Sequence, residues 1–369
     1  MLDDGWFAGR NDDRAGLGDW TPDPVKYPRG LAALAHKVVA LGMQFGLWVE
    51  PEMVSPDSEL YRTHPDWALA LPGRERPTGR HQLVLDMRRP EVRDHLFTAL
   101  DQLLRDAPIG YLKWDHNRDL APPGGRAQVA GTYELLARLR AAHPAIEIES
   151  CAGGGGRSDA GMARHVHRFW TSDSLDAVSR VAIQRGFAAF LPPETMGAHV
   201  GASPAHATGR RQSLAYRAAV ACMGHFGLEL DPARLGEQDR GELAGWIGFY
   251  KHWRGVILGG HLRLGEGADG ILWQAHGDGD QWLLFAIRTR PAQNRRPQPV
   301  RLPFARGVSW QVRMLRLAGV NHWLGTQPWE VGDETPAIDL TGNWLAEVGL
   351  PLPQMAGEAV AIFQLGRRG

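Results

Sequence analysis

The chain has 369 residues, 43% of them hydrophobic and 22% charged, an ordinary globular composition for a chain too long to fold around one small core. Lys and Arg (41) balance Asp and Glu (41), so nothing in the charge asks for nucleic acid or another polyanion. Two cysteines, Cys151 and Cys222, give no disulfide framework and fit a reducing, cytoplasmic setting. No apolar stretch approaches the roughly 20 residues that span a bilayer, which argues against a membrane partner.

The N-terminus has neither a basic n-region nor an apolar h-region, so it does not read as a signal peptide. Leu2-Asp3-Asp4-Gly5-Trp6 reads as the end of a strand running into a loop, with the strand cut short. Leu31 to Val38 have helical spacing, and Gly42 is the stop. Phe45–Glu50 is the next strand, followed by Gln82–Asp86. Pro90 then opens a helix whose Leu96, Leu100, Leu103 and Leu104 share a stripe. Strands follow at Tyr111–Asp115, Ile146–Cys151, Arg168–Asp173, Ala188–Leu191 and Gly224–Glu229, with a helix over Thr132–Ala142.

With the N-terminal stub this makes eight strands alternating with helices, which predicts an α/β fold: a (β/α)8 TIM barrel over residues 1–260, its first strand truncated. The absence of an early Gly-x-Gly-x-x-Gly argues against dinucleotide binding. Beyond residue 260 the apolar positions alternate with period two, as in Gln281–Ala286 and Ala359–Phe363, and predict a C-terminal antiparallel β-sandwich domain over 261–369. Arg288–Pro299, rich in Arg, Pro, Gln and Asn, reads as a solvated hairpin loop.

In a TIM barrel the chemistry sits at the C-terminal strand ends. Those ends hold Asp3, Asp4, Trp48, Glu50, Asp86, Lys113, Asp115, Glu149, Cys151, Trp170 and Asp173. A rim of carboxylates and Trp, in a chain with 14 Trp, leans toward carbohydrate chemistry. Lys113 and Asp115 are two apart on one strand and point the same way, so the cation favours an ionised Asp115, as a nucleophile requires. A structural ion pair is the competing reading. Asp173, after Trp170, stands near an aromatic wall where a carboxyl can keep its proton and act as an acid. His165 and His167 lie two apart, and without a His-x-x-x-His or Cys-x-x-Cys pair no metal is expected.

The same residues carry a resemblance. Leu2-Asp3-Asp4-Gly5-Trp6-Phe7, Gly46-Leu47-Trp48-Val49-Glu50-Pro51-Glu52-Met53 and Gly79 to Asp86 stand in order. They are followed by Tyr111 to Arg118, Glu149 to Arg157 and Trp170-Thr171-Ser172-Asp173. Together they resemble the α-galactosidases of glycoside hydrolase family 36, over essentially the whole chain. The resemblance implies Asp115 as nucleophile and Asp173 as general acid/base. It implies galactose held by Asp3, Asp4, Trp48, Arg80, Lys113, Cys151, Gly154 and Trp170, with no metal or cofactor. Retention by double displacement would follow, with carboxyl groups about 5–5.5 Å apart.

Some positions depart from the family pattern. Ser174 and Leu175 follow Asp173 where Asn is usual, His116 stands where Met is common, and His81 where Asn is common. The family also carries an N-terminal β-sandwich domain that is not in this sequence. The expected substrates are α-galactoside oligosaccharides such as melibiose and raffinose, and a homo-oligomer is allowed. Competing functions are an α-galactosyl transferase or synthase of the same mechanism, an α-N-acetylgalactosaminidase, and an inactive truncated sugar-binding fragment.

Overall fold

The computed structural model describes residues 1–119, 125–291, 294, 296–319 and 325–368. They divide into two compact units, Met1–Trp170 and Thr171–Gly369. This line differs from the 260/261 line expected from sequence texture. The texture change has its own structural counterpart, because a long helix ends at Gly259 and the antiparallel region begins at His261.

The first unit contains α1 (Gly30–Ala40), β1 (Phe45–Val49), β2 (Met53–Val54), α2 (Glu59–Thr63), β3 (Leu83–Val84) and α3 (Pro90–Asp106). It continues with β4 (Ile109–Trp114), α4 (Gly125–Ala142), β5 (Glu147–Ser150) and β6 (Arg168–Trp170). β1, β4, β5 and β6 pair in that order, all parallel. Every residue of β1 is buried, as in a parallel strand covered on both faces. The expected stub is present as a parallel bridge: the Leu2 amide donates to the Gly46 carbonyl at 2.8 Å, and the Trp48 amide to the Leu2 carbonyl at 2.9 Å. α3 begins at Pro90 and buries Val92, Leu96, Leu100 and Leu103 as its spacing requires. α4 starts seven residues earlier than the spacing indicated.

Gln82–Asp86 does not join this parallel sheet. Only Leu83 and Val84 are strand, antiparallel to β2 in a two-stranded sheet of their own. The apolar run Leu83–Leu85 does signal burial, but a run that short does not say which partner buries it.

The second unit contains α5 (Ala177–Ala188), β7 (Met196–Gly201), α6 (Leu214–Ala221), β8 (His225–Glu229) and α7 (Glu237–Gly259). Then come β9 (His261–Glu266), β10 (Ile271–Gly277), β11 (Gln281–Arg288), β12 (Ser309–Ala318), β13 (Ile338–Thr341), α8 (Gly342–Glu347) and β14 (Ala359–Arg367). β7 and β8 pair in parallel. The strand expected at Ala188–Leu191 is instead the end of α5 and the turn after it. The true strand is β7, whose Gly-rich sequence Met-Gly-Ala-His-Val-Gly lacks the β-branched run that marks a strand.

From His261 onward the described strands form one antiparallel sheet, in the order β13-β12-β14-β11-β10-β9. A sandwich of two facing sheets was expected; the described residues give this one sheet, with side chains of other elements against both its faces. Leu283, Phe285, Ile287, Val360 and Ile362 pack with Trp246, Phe249 and Trp253 of α7. The alternate residues Leu284, Ala286, Phe363 and Leu365 pack with Trp329, Leu345 of α8 and Leu350. Period-two alternation reported the strands correctly but not the layer that covers them.

Arg288–Pro299 is not a hairpin loop, since β14 lies between β11 and β12. Its first residue is not solvated either: Arg288 is buried and donates to the carbonyls of Met355 and Asn294. Ala292, Gln293 and Arg295 of this segment lie outside the described residues.

Candidate functional site

β4 ends at Trp114, and the chain delivers Asp115 immediately beyond it, pinned by its amide on the Val49 carbonyl at 2.8 Å. Asp115 is 6% exposed. Its Oδ2 accepts from the Trp48 indole at 3.0 Å and from Asn117 Nδ2 at 2.7 Å, and its Oδ1 accepts from the His116 amide at 2.8 Å. Burial alone pushes this carboxyl up, but donation from Asn117, Cys151, Trp48 and the His116 amide outweighs it and holds Asp115 below its ordinary range. The result is a buried carboxylate that stays ionised at neutral pH.

Lys113, two residues back, ion-pairs with Asp3 at 3.2 Å. Burial opposes its charge, yet Asp3, Cys151 and Asp115 together hold it above the ordinary lysine range. Lys113 and Asp115 therefore do share a face, with Asp3 as the closer anion. Cys151 follows β5, its amide on the Trp114 carbonyl at 2.8 Å. Burial, and then the Asp115 charge, push the thiol up, so it remains a neutral donor to Asp115.

Asp4 is bound elsewhere. Arg10, itself 3% exposed, grips it through Nε at 3.0 Å and Nη2 at 2.8 Å, a bidentate pair. Trp48 is also a core residue, 3% exposed and stacked parallel to Phe7 at 6.4 Å, beside Trp20. Trp6 donates to the Trp48 backbone carbonyl at 2.8 Å, so an aromatic group anchors the backbone of the residue whose indole holds Asp115.

Glu50 and Glu52, both buried, differ sharply. Glu52 accepts from the Trp114 indole at 2.9 Å, Thr132 Oγ1 at 2.7 Å and Arg157 Nη1 at 2.7 Å. Burial works against its charge, but Arg157, His116 and these donors bring it down to about 2. Among the described residues Glu50 receives only the Asn117 amide and Gln82 Nε2 at 3.2 Å. Burial, with Asp115 adding to it, pushes Glu50 up to about 7.

Arg80 and His81 are the central residues of a tight turn in which Gly79 and Gln82 exchange amide–carbonyl bonds. Their φ values are 49° and 57°, a left-handed pair that two-residue hairpin turns demand and that Asn or Gly adopts more readily than Arg or His. Arg80 is exposed at this tip, and its charge is felt at Glu50.

After Cys151, Gly153 (φ 53°) and Gly154 (φ 85°) turn the chain, and a Cβ on Gly156 would come within 2.7 Å of the Ala152 carbonyl. Part of the glycine run is thus required by the backbone itself. Trp170 is buried at the end of β6. Asp173 belongs to the second unit and is exposed, in a segment where Arg180 donates to the Ser172 carbonyl at 3.0 Å. Asp86 is taken up by Arg88 at 2.7 Å, and Glu149 by the Tyr111 hydroxyl.

The structure thus brings Asp3, Trp48, Lys113, Asp115 and Cys151 together. Asn117, Arg10 and the Glu52–Arg157 pair were not singled out from sequence. Asn117 had a signal, being two residues beyond Asp115. Arg10 had none, because nothing local marks it as a partner of Asp4. A cavity of about 530 Å³ opens beside Asn117, lined also by Glu52, His116, Thr132, Tyr133 and Arg157. Another of about 530 Å³, lined by Trp20, His64, His95 and Leu103, touches none of the predicted site residues.

Comparison with known proteins places this geometry in context. A family model described as Melibiase matches residues 1–260. The chain is 42% identical over 385 residues to an α-galactosidase of Escherichia coli, covering 100% of this chain and 54% of that protein. Among solved structures, a variant of the GH36 α-galactosidase AgaA of Geobacillus stearothermophilus, in complex with raffinose, matches with TM-score 0.87 at 36% identity, covering 100% of this chain and 51% of that one. Another AgaA variant, in complex with stachyose, matches with TM-score 0.86 at 36% identity and the same coverage, 100% and 51%. The chain spans about half the length of these relatives.

Proposed function

Because this chain belongs to the melibiase family, we propose that it hydrolyses terminal α-D-galactosyl residues of galacto-oligosaccharides such as melibiose and raffinose, with retention of configuration. The observation that carries the reading is Asp115: a nearly buried carboxylate, held ionised by Asn117, Cys151, Trp48 and the His116 amide, at a strand end beside a Lys. A nucleophilic carboxylate needs that combination of charge, fixed direction and shelter from water.

In the proposed reaction Asp115 attacks the anomeric carbon while Asp173 protonates the departing glycosidic oxygen. Asp173 then takes a proton from water as that water releases galactose from Asp115, so two inversions give net retention. Asp3 and Lys113, paired with each other, present an acceptor and donors for sugar hydroxyls, and Arg80 adds donors from its exposed turn. Asp4 with Arg10, Trp48, Trp170, Cys151 and Gly154 shape the pocket. The chemistry asks for no metal or cofactor. The same reading takes residues 1–260 as a catalytic (β/α)8 barrel and 261–369 as a separate β-domain.

The test is hydrolysis of p-nitrophenyl α-galactoside by the purified chain, beside Asp115→Ala with azide. Turnover in the parent, and release of β-galactosyl azide by the variant, are the expected results. A folded parent without turnover would overturn the proposed activity. α-Galactosyl azide from the variant would remove Asp115 from the role of nucleophile.

A further inference from the structure

Glu50 is fully shielded from solvent, yet among the described residues no cation hydrogen-bonds to it. A buried carboxyl without an ion pair is costly and is kept where its position matters. Its partners among the described residues are the Asn117 amide and Gln82 Nε2. Asn117 is also the residue whose side chain donates to Asp115 Oδ2 at 2.7 Å. Asn117 is therefore held at two points by two carboxylates, its backbone by Glu50 and its side chain by Asp115. With the backbone fixed, the amide has only two side-chain torsions left, and its direction toward Asp115 is set.

We propose that Glu50 is a positioning residue for Asp115 and acts through Asn117: by holding the Asn117 amide it aims Nδ2 at the reacting carboxylate. The inference rests on Asp115 being the nucleophile, as proposed above. Among the described residues the charged groups that act most on Glu50 are Asp115, from the end of β4, and Arg80, from the Gly79–Gln82 turn; burial and Asp115 raise its proton affinity and Arg80 lowers it. Glu50 therefore takes up a proton at a pH closer to neutrality than Asp115, which stays ionised there. Protonation of Glu50 then decides whether a second negative charge stands behind the nucleophile.

The experiment uses the full chain with Glu50→Gln, Glu50→Ala, Asn117→Ala and the Glu50→Ala/Asn117→Ala double variant. Two readouts are taken: kcat and KM on p-nitrophenyl α-galactoside from pH 4 to 9, and the titration of the Asp115 carboxyl by carbon-13 NMR. Losing a donor to a charged group predicts that Asn117→Ala lowers kcat by roughly 10- to 100-fold, with KM moving less than about threefold. It also shifts the Asp115 titration upward. Glu50→Ala gives a loss of similar size, and the double variant is no worse than either single one, because both act along one line. Glu50→Gln keeps an acceptor for the Asn117 amide. It retains kcat but loses the inflection near pH 7.

Additive losses in the double variant, or an Asp115 titration unmoved by Asn117→Ala, would overturn the positioning role. If the parent shows no turnover, the proposed activity fails, while the NMR titration of Asp115 still decides whether Glu50 and Asn117 control that carboxyl. If Glu50→Ala does not fold, Glu50→Gln and Asn117→Ala carry the decision through the pH profile and the titration.

Discussion

β1 and β11 are buried along nearly their whole length, but what surrounds them differs. The chain leaving β1 buries Glu50 and Glu52, and β4 beside it delivers Asp115; β11 carries Trp282 to Ile287 into apolar layers on both faces. A buried hydrocarbon returns free energy on folding, whereas a buried carboxylate must be compensated by donors and charges that are themselves held in place. The contrast separates a region built for stability from one whose burial is spent on orientation.

The largest expected effect is chemical. Asp115→Asn should lower hydrolysis of p-nitrophenyl α-galactoside by at least about 10⁴-fold, with little change in melting temperature, because shape and most hydrogen bonds remain. If activity survives, the strand ends of the first unit lose their distinction. Phe285→Ala sharpens the other side: truncating this fully buried ring should cost about 3–5 kcal/mol in urea unfolding, with kcat per folded molecule unchanged.

Glu52 tests whether burial near the site is structural or chemical. Glu52→Gln leaves Arg157 without its counter-charge and should cost about 3–5 kcal/mol. Its folded pKa is depressed, from 4.5 to about 2, so its stabilisation is present above pH 4.5 and disappears as pH falls toward 2. An acid-unfolding curve that Glu52→Gln leaves unchanged in that window would remove Glu52 from this account. Glu50 has the opposite sign. Raised from 4.5 to about 7, it makes the folded state the better proton binder, so stability declines as pH rises through that interval. Glu50→Gln should flatten that decline in melts taken across it.

The smallest effect concerns the turn that carries Arg80. His81→Asn should stabilise by less than about 1 kcal/mol, since Asn accepts the left-handed φ with less strain. A loss of stability would mean that the His81 ring makes a compensating contact.

Much of the first region was legible in sequence. Phe45–Glu50 and Tyr111–Asp115 announce themselves as apolar runs ending in charge, and α3 as a Pro start followed by a Leu stripe. Lys113 and Asp115 followed from strand periodicity. What was not legible is partnership at a distance. Leu83–Val84 pairs antiparallel to β2 rather than in the main sheet, Arg10 grips Asp4 through a loop, and Trp48 is packed into the core. Strand β7 was missed because its glycines and alanine carry little strand preference, while Phe190 and Leu191 nearby look more like one. In the second region, alternation located β11 and β14 but not the helices and loops that cover them.

The ties made by Glu52 bear on how the first unit comes together in time. Its partners Trp114, Thr132 and Arg157 lie 62, 80 and 105 residues further along the chain. Contacts of such long range close large loops before they repay the entropy, and are expected to form late in folding. Until then the carboxylate and the guanidinium stay hydrated, and no desolvation cost is met early. Losing Glu52 should therefore speed unfolding far more than it slows refolding, a kinetic lock placed beside the residues proposed to do the chemistry.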